Sequence, residues 1–208
     1  MKAPTLTQIT KAMETAKYRV YDGVDRDGVQ KNYDLNLFGV RTANRVADAF
    51  DDWVGVFWQN WDTGVEEFHV WQATTDPGLA VLQNFKKYNP QGAAVLVPGQ
   101  YPASHRIGLH QGEYTALVQH STLKVYRDGN KDKMVDMLPQ TITAGDFGIN
   151  IHRVKNYAPA RKVGIASAGC QVILNPEDFN VLMEICTLSD AQWGPIFTYT
   201  LLTEAQLT

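Results

Sequence analysis

The sequence predicts a mainly β, α+β fold in a single domain, and three observations carry that prediction. Short runs rich in Val, Ile, Phe, Trp and Tyr, bounded by Gly, Pro, Asn or Asp, recur along most of the chain. Helical spacing of apolar residues is confined to one stretch near each end. No internal repeat and no low-complexity linker divides the 208 residues, of which 44% are hydrophobic, enough for a real core.

The first helical stretch is Pro4 to Lys17, with Thr5 or Thr7 as its cap and Ile9, Ala12, Met13 and Ala16 as its apolar face. Asp22 to Lys31 is rich in glycine and charge and reads as a loop, so residues 1–31 form a helix-plus-loop extension. Strands are expected at Leu35 to Arg41, Trp53 to Gln59 and Glu67 to Ala73, the last with period-2 alternation. Thr74 to Gly78 (TTDPG) is a turn by composition. Ala93 to Val97 reads as a short buried strand, and Pro98 to Gln111 as an exposed loop that lines a cleft with Tyr101 and His110. Tyr114 to Gln119 and Thr122 to Arg127 form a strand pair. Phe147 to His152 and Val163 to Ala166 are strands leading into Cys170, and Gln171 to Leu174 continues from it. Asn175, Pro176, Glu177 and Asp178 then open a helix: an N-cap, a proline at the first position, and two acids at the positive end of the dipole. Its stripe is Phe179, Leu182, Met183 and Cys186. Pro195 to Thr203 is a final strand.

Several function classes are disfavoured at once. A net charge of −3 gives no general electrostatic reason to expect nucleic acid. No apolar run reaches the roughly 18 residues of a membrane span, and the N-terminus lacks the apolar core of a secretory signal. Two cysteines are too few for a disulfide framework or a thiolate zinc site. His105 and His110 are not at the spacing of a zinc helix, so no metal is expected and surface or satisfied histidines are the better reading. Asp128, Asn130 and Asp132 begin like a calcium loop, but Lys133 and Pro139 stand where it needs glycine and glutamate, so a polar hairpin turn is expected. Asp51 and Asp52 are adjacent on a strand and face opposite ways, a poor pair for glycoside hydrolysis. The nearby Trp53, Trp58, Trp61 and Trp71 are core or a sugar-stacking face, with core favoured. Cys186, on its helical stripe, is expected to pack.

The chemistry concentrates in Phe147 to Ile173. His152 ends an apolar run, and Ser167, Ala168, Gly169 and Cys170 follow it closely. A thiol becomes a nucleophile when a base or cation lowers its pKa from about 8.5, and a histidine supplies that base and later protonates a leaving amine. The small residues before Cys170 let a substrate carbonyl approach backbone N–H groups that can hold an oxyanion. The competing reading is an ordinary buried cysteine in a strand.

The arrangement His152-x14-Ser167-Ala168-Gly169-Cys170 resembles the signature of the L,D-transpeptidase catalytic domain, where a histidine precedes a Ser/Thr-His-Gly-Cys block. Phe147 to His152 is similar to that family's approach to its histidine, and Asn175 to Ile185 to the helix after its cysteine. Thr75 to Gly78 is similar to an earlier turn of that domain, so the resemblance spans residues 74–185. Two positions depart from the pattern. Ala168 stands where the family has a second histidine, and Val172 where it has an arginine that helps hold a substrate carboxylate.

The resemblance implies a β-sandwich or barrel and acyl transfer on peptidoglycan stem peptides, with no cofactor. Cys170 would form a thioester, His152 would act as base then acid, and Gly169 and Cys170 would supply oxyanion donors. Ser167 would position the histidine or the turn through its backbone. Arg153, Gln171, Tyr101 and His110 are the substrate-side candidates, with Arg161 a second cation near the missing arginine. A cell-wall enzyme without a signal, delivered by another route as phage lysis enzymes are, is the localisation this reading suggests. The alternative is a non-catalytic binding or structural protein on the same scaffold.

Overall fold

A computed structural model describes residues 2–155 and 162–208. Its elements begin with helix α1 (Leu6–Thr15) and strands β1 (Asn36–Arg41), β2 (Asp52–Asn60) and β3 (Val65–Thr74). Then come α2 (Leu79–Gln83), β4 (Ala93–Leu96), β5 (Gly99–His110), β6 (Tyr114–Gln119), β7 (Leu123–Asp128) and β8 (Thr143–Gly145). The chain ends with β9 (Ile151–Arg153), β10 (Gln171–Ile173), α3 (Pro176–Trp193) and β11 (Ile196–Thr203). Eight strands close a barrel in the order β1-β11-β5-β6-β9-β10-β3-β2, and β4-β7-β8 form a separate three-stranded sheet. The mainly β architecture with helices at both ends is therefore as expected. Closure leaves no unpaired barrel edge.

Most barrel neighbours are antiparallel, but β1 runs parallel to β11 and β9 runs parallel to β10. The second parallel pair positions the candidate site. It sets His152 opposite Val172 and Ile151 opposite Gln171, so His152 and Val172 share one face while Ile151 and Gln171 share the other.

The main core joins inward residues of the barrel, such as Leu37, Val56, Leu117, Ile151 and Leu201, to Phe179, Leu182 and Cys186 of α3. α3 forms where the caps indicate: the Asn175 side chain accepts from the Glu177 N–H at 3.0 Å, with Pro176 in the first turn. Cys186 is fully buried and packs, as its stripe position suggests. α1 is closed by a capping box in which Thr5 and Gln8 bond reciprocally. It buries Ile9, Ala12 and Met13 against Phe38, Val40, Phe57 and Leu202 on the barrel's other face. Full burial of a side chain such as Ile9 contributes about 1.5–3 kcal/mol.

Three expectations are corrected. Residues 98–111 are not an exposed loop: Gly99–His110 is the 12-residue strand β5, paired by β11 along its first half and by β6 along its second. Its Pro, Ser, His and Gly content hides it, yet ladder bonds to two partners override weak β-propensity. Val163 to Ala166 is a turn rather than a strand. Asp48 accepts from the Gly164 N–H at 2.6 Å, and the Ala166 N–H bonds back to the Val163 carbonyl at 2.9 Å. In Phe147 to His152 only the last two residues are strand. The Asp128–Asp136 segment is a polar turn in which Asn130 donates to Asp132 and Asp136, both at 2.9 Å. Among the described residues no helix is long and apolar enough to cross a membrane.

Of the tryptophans in this region Trp58 is core, while Trp53, Trp61 and Trp71 are half-buried. Trp58 is 4% exposed and stacks between Tyr33 and His69, and His69 stacks on Trp71. Asp52 is buried too. It accepts from the Thr42 and Thr75 N–H groups and the Thr75 hydroxyl, clamping β1 to the turn after β3. Beside it lies Arg41, 1% exposed, paired with Asp76 at 2.8 Å and donating to the Thr75 and Leu96 carbonyls. A cation and two carboxylates thus sit in the interior, and desolvation pushes Asp76 up to about 7 against the pull of Arg41.

Candidate active site around Cys170

The turn that presents Cys170 is held by its own side chains. The Ser167 hydroxyl, fully buried, donates to the Cys170 carbonyl at 2.9 Å and accepts from the Gly169 N–H at 3.1 Å. Ser167 thus fixes the turn through its side chain, where the sequence suggested its backbone, although its carbonyl also accepts from the Gly78 N–H at 3.0 Å. Gly169 sits at φ +125°, and a Cβ there would lie 2.6 Å from the Ala94 carbonyl oxygen. Only glycine fits. The Gly169 N–H is already bonded to Ser167, so it is not an available oxyanion donor in this arrangement.

Cys170 packs with Phe50, Val154, Val163 and Val172, and is 8% exposed. Its Sγ accepts from the Asn150 N–H at 3.4 Å and its S–H donates to the Gly148 carbonyl at 3.4 Å. Burial pushes the thiol up to about 11, only partly offset by the Asn150 N–H.

His152 is 3% exposed. Its Nδ1 lies 2.8 Å from the Arg153 carbonyl oxygen, which can only accept, so Nδ1 carries the proton. Nε2 is then a bare lone pair, buried and without a hydrogen-bond partner among the described residues. The Tyr114 hydroxyl donates to the same Arg153 carbonyl at 3.1 Å and stands 3.3 Å from Nδ1. Burial, then the neighbouring His110, pushes His152 down to about 3. Thiol and imidazole are both neutral here, and no ion pair forms.

His110 lies nearer this centre than an outer cleft residue would. Its ring stacks on His152 with centroids 4.0 Å apart and an interplanar angle of 19°. Its Nδ1 is 3.0 Å from the Asn150 side-chain nitrogen. Sequence reasoning assigned no role to Asn150 or Tyr114. Asn150 had a signal, because it lies two residues before His152 in a stretch the sequence reads as a strand, which would put both on one face. Tyr114 had none, since its strand comes from far along the chain.

Other candidates fall elsewhere. Gln171 is fully buried on the barrel side, bonded to the Tyr199 hydroxyl at 3.0 Å and the Gly169 carbonyl at 3.2 Å, so it cannot meet a substrate. Register explains this: it pairs with Ile151 and faces inward. The Tyr101 hydroxyl donates to the Val97 carbonyl at 2.6 Å and packs against the main core, a structural tie rather than a cleft contact. Arg153 stacks its guanidinium 4.5 Å from the Tyr114 ring centroid and bonds to the Val154 carbonyl. Arg161 lies outside the described residues. Ala168 packs beside the α2 cluster, and Val172 is fully buried against Cys170. His105 is satisfied between the Ser104 hydroxyl and the Ile149 carbonyl, at 2.9 and 3.0 Å.

A cleft of about 760 Å³ opens between β6, β9 and α3, lined by Tyr114, Arg153, Phe179, Met183, Glu184 and Leu188. Tyr114 joins its wall to His152. Among the described residues, no cluster of three or more His, Cys, Asp or Glu could hold a metal ion. Compared with known proteins, the chain matches no family model, no curated protein and no solved structure.

Proposed function

We propose that the chain is a cysteine acyl-transfer enzyme acting on peptidoglycan stem peptides, as an L,D-transpeptidase or L,D-peptidase does, with Cys170 as nucleophile and His152 as base. One observation carries the reading. His152 is held in the Nδ1–H tautomer with its Nε2 lone pair buried and unpartnered, on the strand paired in parallel with the one that Cys170 leads. A buried polar atom left without a partner calls for an explanation, and a waiting proton acceptor is one.

The Cys170 S–H turns from the Gly148 carbonyl to His152 Nε2 and gives up its proton. The thiolate attacks the carbonyl between the third stem residue and the terminal D-alanine. The tetrahedral intermediate collapses to a thioester, and the leaving amine takes the proton from Nε2. An amine of a second stem then yields a cross-link, or water yields hydrolysis, each losing a proton to Nε2 as the thiol is restored. Arg153, in the wall of the cleft beside Tyr114, is the cation assigned to the substrate carboxylate.

The rival is a non-catalytic binding protein on the same scaffold. It is favoured by the closed, neutral thiol, pushed up to about 11. Intact-mass labelling separates the two, using a thiol probe and a carbapenem across pH 5 to 9 on wild type, Cys170→Ser and His152→Ala. A carbapenem adduct at Cys170 that depends on His152 supports the enzyme. No adduct, with Cys170 no more reactive than the fully buried Cys186, supports the binding protein.

A further inference from the structure

His110 and Asn150 form a linked pair around the two residues assigned to chemistry. The Asn150 backbone N–H meets Cys170 Sγ at 3.4 Å, while its side-chain amide meets His110 Nδ1 at 3.0 Å. The amide's orientation is fixed independently, because its Oδ1 accepts from the Gln119 backbone N–H at 2.9 Å. The nitrogen facing His110 is therefore a donor, and His110 Nδ1 must accept. His110 in its neutral form thus carries its proton on Nε2, the opposite tautomer to His152. The two rings lie face to face at 4.0 Å. A second imidazolium at that distance is strongly disfavoured by like charge.

We propose that His110 is a positioning residue that keeps the proton off His152, and that Asn150 holds His110 in the tautomer that lets it do so while orienting the Cys170 thiol. The role in catalysis rests on the reading above, but the coupling of the two rings does not. When His110 is neutral, His152 Nε2 is free to take the thiol proton. When His110 is charged, a positive charge faces the ring that must become an imidazolium, and transfer is suppressed. The acid limb of any Cys170 activity therefore follows His110.

The surroundings of His110 support a group that titrates before His152. Burial holds His110 below the ordinary imidazole value, Glu113 partly opposes this, and Lys155 adds to the lowering. Glu113 and Lys155 pair with each other at 2.9 Å near the surface. Tyr114, 5.5 Å from His110 between centroids, is neutral, and Arg153 lies beyond it against its ring. His152 is deeper, and His110 itself is among the causes that hold it down.

The test is long-range 1H–15N correlation of the imidazole nitrogens from pH 4 to 8, on wild type, Cys170→Ser, His110→Phe and Asn150→Ala. Wild type should show His110 protonated on Nε2 and His152 on Nδ1, with His110 taking up a proton first. In His110→Phe, which keeps an aromatic ring on the stack, the proton affinity of His152 should rise roughly three- to tenfold. Asn150→Ala should release the His110 tautomer while the His152 tautomer stays. His110 protonated on Nδ1, or His152 titrating before His110, would overturn the proposal in wild type alone, even if a variant fails to fold. An unchanged His152 midpoint in a folded His110→Phe would overturn it as well. Cys170→Ser should leave both tautomers in place, so an unreactive thiol defeats the enzyme reading without touching this one.

Discussion

Replacing Ser167 by alanine tests whether the turn before Cys170 is held by one hydroxyl. That hydroxyl is fully buried, donates to the Cys170 carbonyl at 2.9 Å and accepts from the Gly169 N–H at 3.1 Å. Alanine removes both bonds and leaves two backbone groups without partners. A net hydrogen bond contributes about 1 kcal/mol, and an unsatisfied buried group costs about 1–3 kcal/mol. The expected loss is about 2–4 kcal/mol, because the turn can relax enough to repair one of the two. For a chain of this size that is a fall in Tm of about 4–16 °C. Urea unfolding should show a lower midpoint with an unchanged slope, since no extra surface is exposed. Thr10→Ala is the control: its hydroxyl bonds within α1 at the surface, so the change should stay within about 0.5 kcal/mol. A loss below about 1 kcal/mol for Ser167→Ala would refute the claim that the hydroxyl holds the turn.

Gly169→Ala should cost about 2–4 kcal/mol, from positive φ and the approach to the Ala94 carbonyl, read by the same unfolding curves. A near-neutral result would mean the turn has another backbone solution. Arg41→Ala should cost about 3–5 kcal/mol at pH 7, because it empties a buried site, removes the donors to the Thr75 and Leu96 carbonyls and takes the cation from Asp52. Recovery of part of that loss, relative to wild type, as pH falls would identify the stranded Asp52 charge as a cause, because Asp76, raised to about 7 beside Arg41, rises further and is neutral at pH 7 once the cation is gone. His105 is held at about 4 by burial, below an unfolded value near 6.5. The folded state then binds fewer protons between those values, so its contribution is present above pH 6.5 and lost as pH falls toward 4. His105→Gln should flatten that acid loss in urea curves taken at pH 4, 5.5 and 7. Asp76, raised to about 7, acts with the opposite sign: its contribution is present below pH 3.8 and lost as pH rises to 7. Asp76→Asn should therefore compare more favourably with wild type at pH 7 than at pH 4.

Much of the fold was legible because its signals are local. The Thr5 cap of α1 and the Asn175-Pro176 start of α3 each depend on neighbours in sequence. β5 was not legible, because residues such as Gln100, His105 and Gly108 become strand only by pairing with β11 or β6. Gln171 shows the same limit at one position. A polar residue beside Cys170 reads as a substrate contact until the register with Ile151 turns it into the barrel.

By itself the sequence determined which chemical groups share one short segment. His152, Ser167, Gly169 and Cys170 are close in the chain, and their types name a thiol, a base and a tight turn. The tertiary structure decided their state. The Arg153 carbonyl sets the tautomer of His152, Asn150 and Gly148 hold the thiol, and His110 and Tyr114 arrive from β5 and the start of β6. Protonation depends on burial and on charges brought near in space, and neither is written in the spacing of residues along a chain.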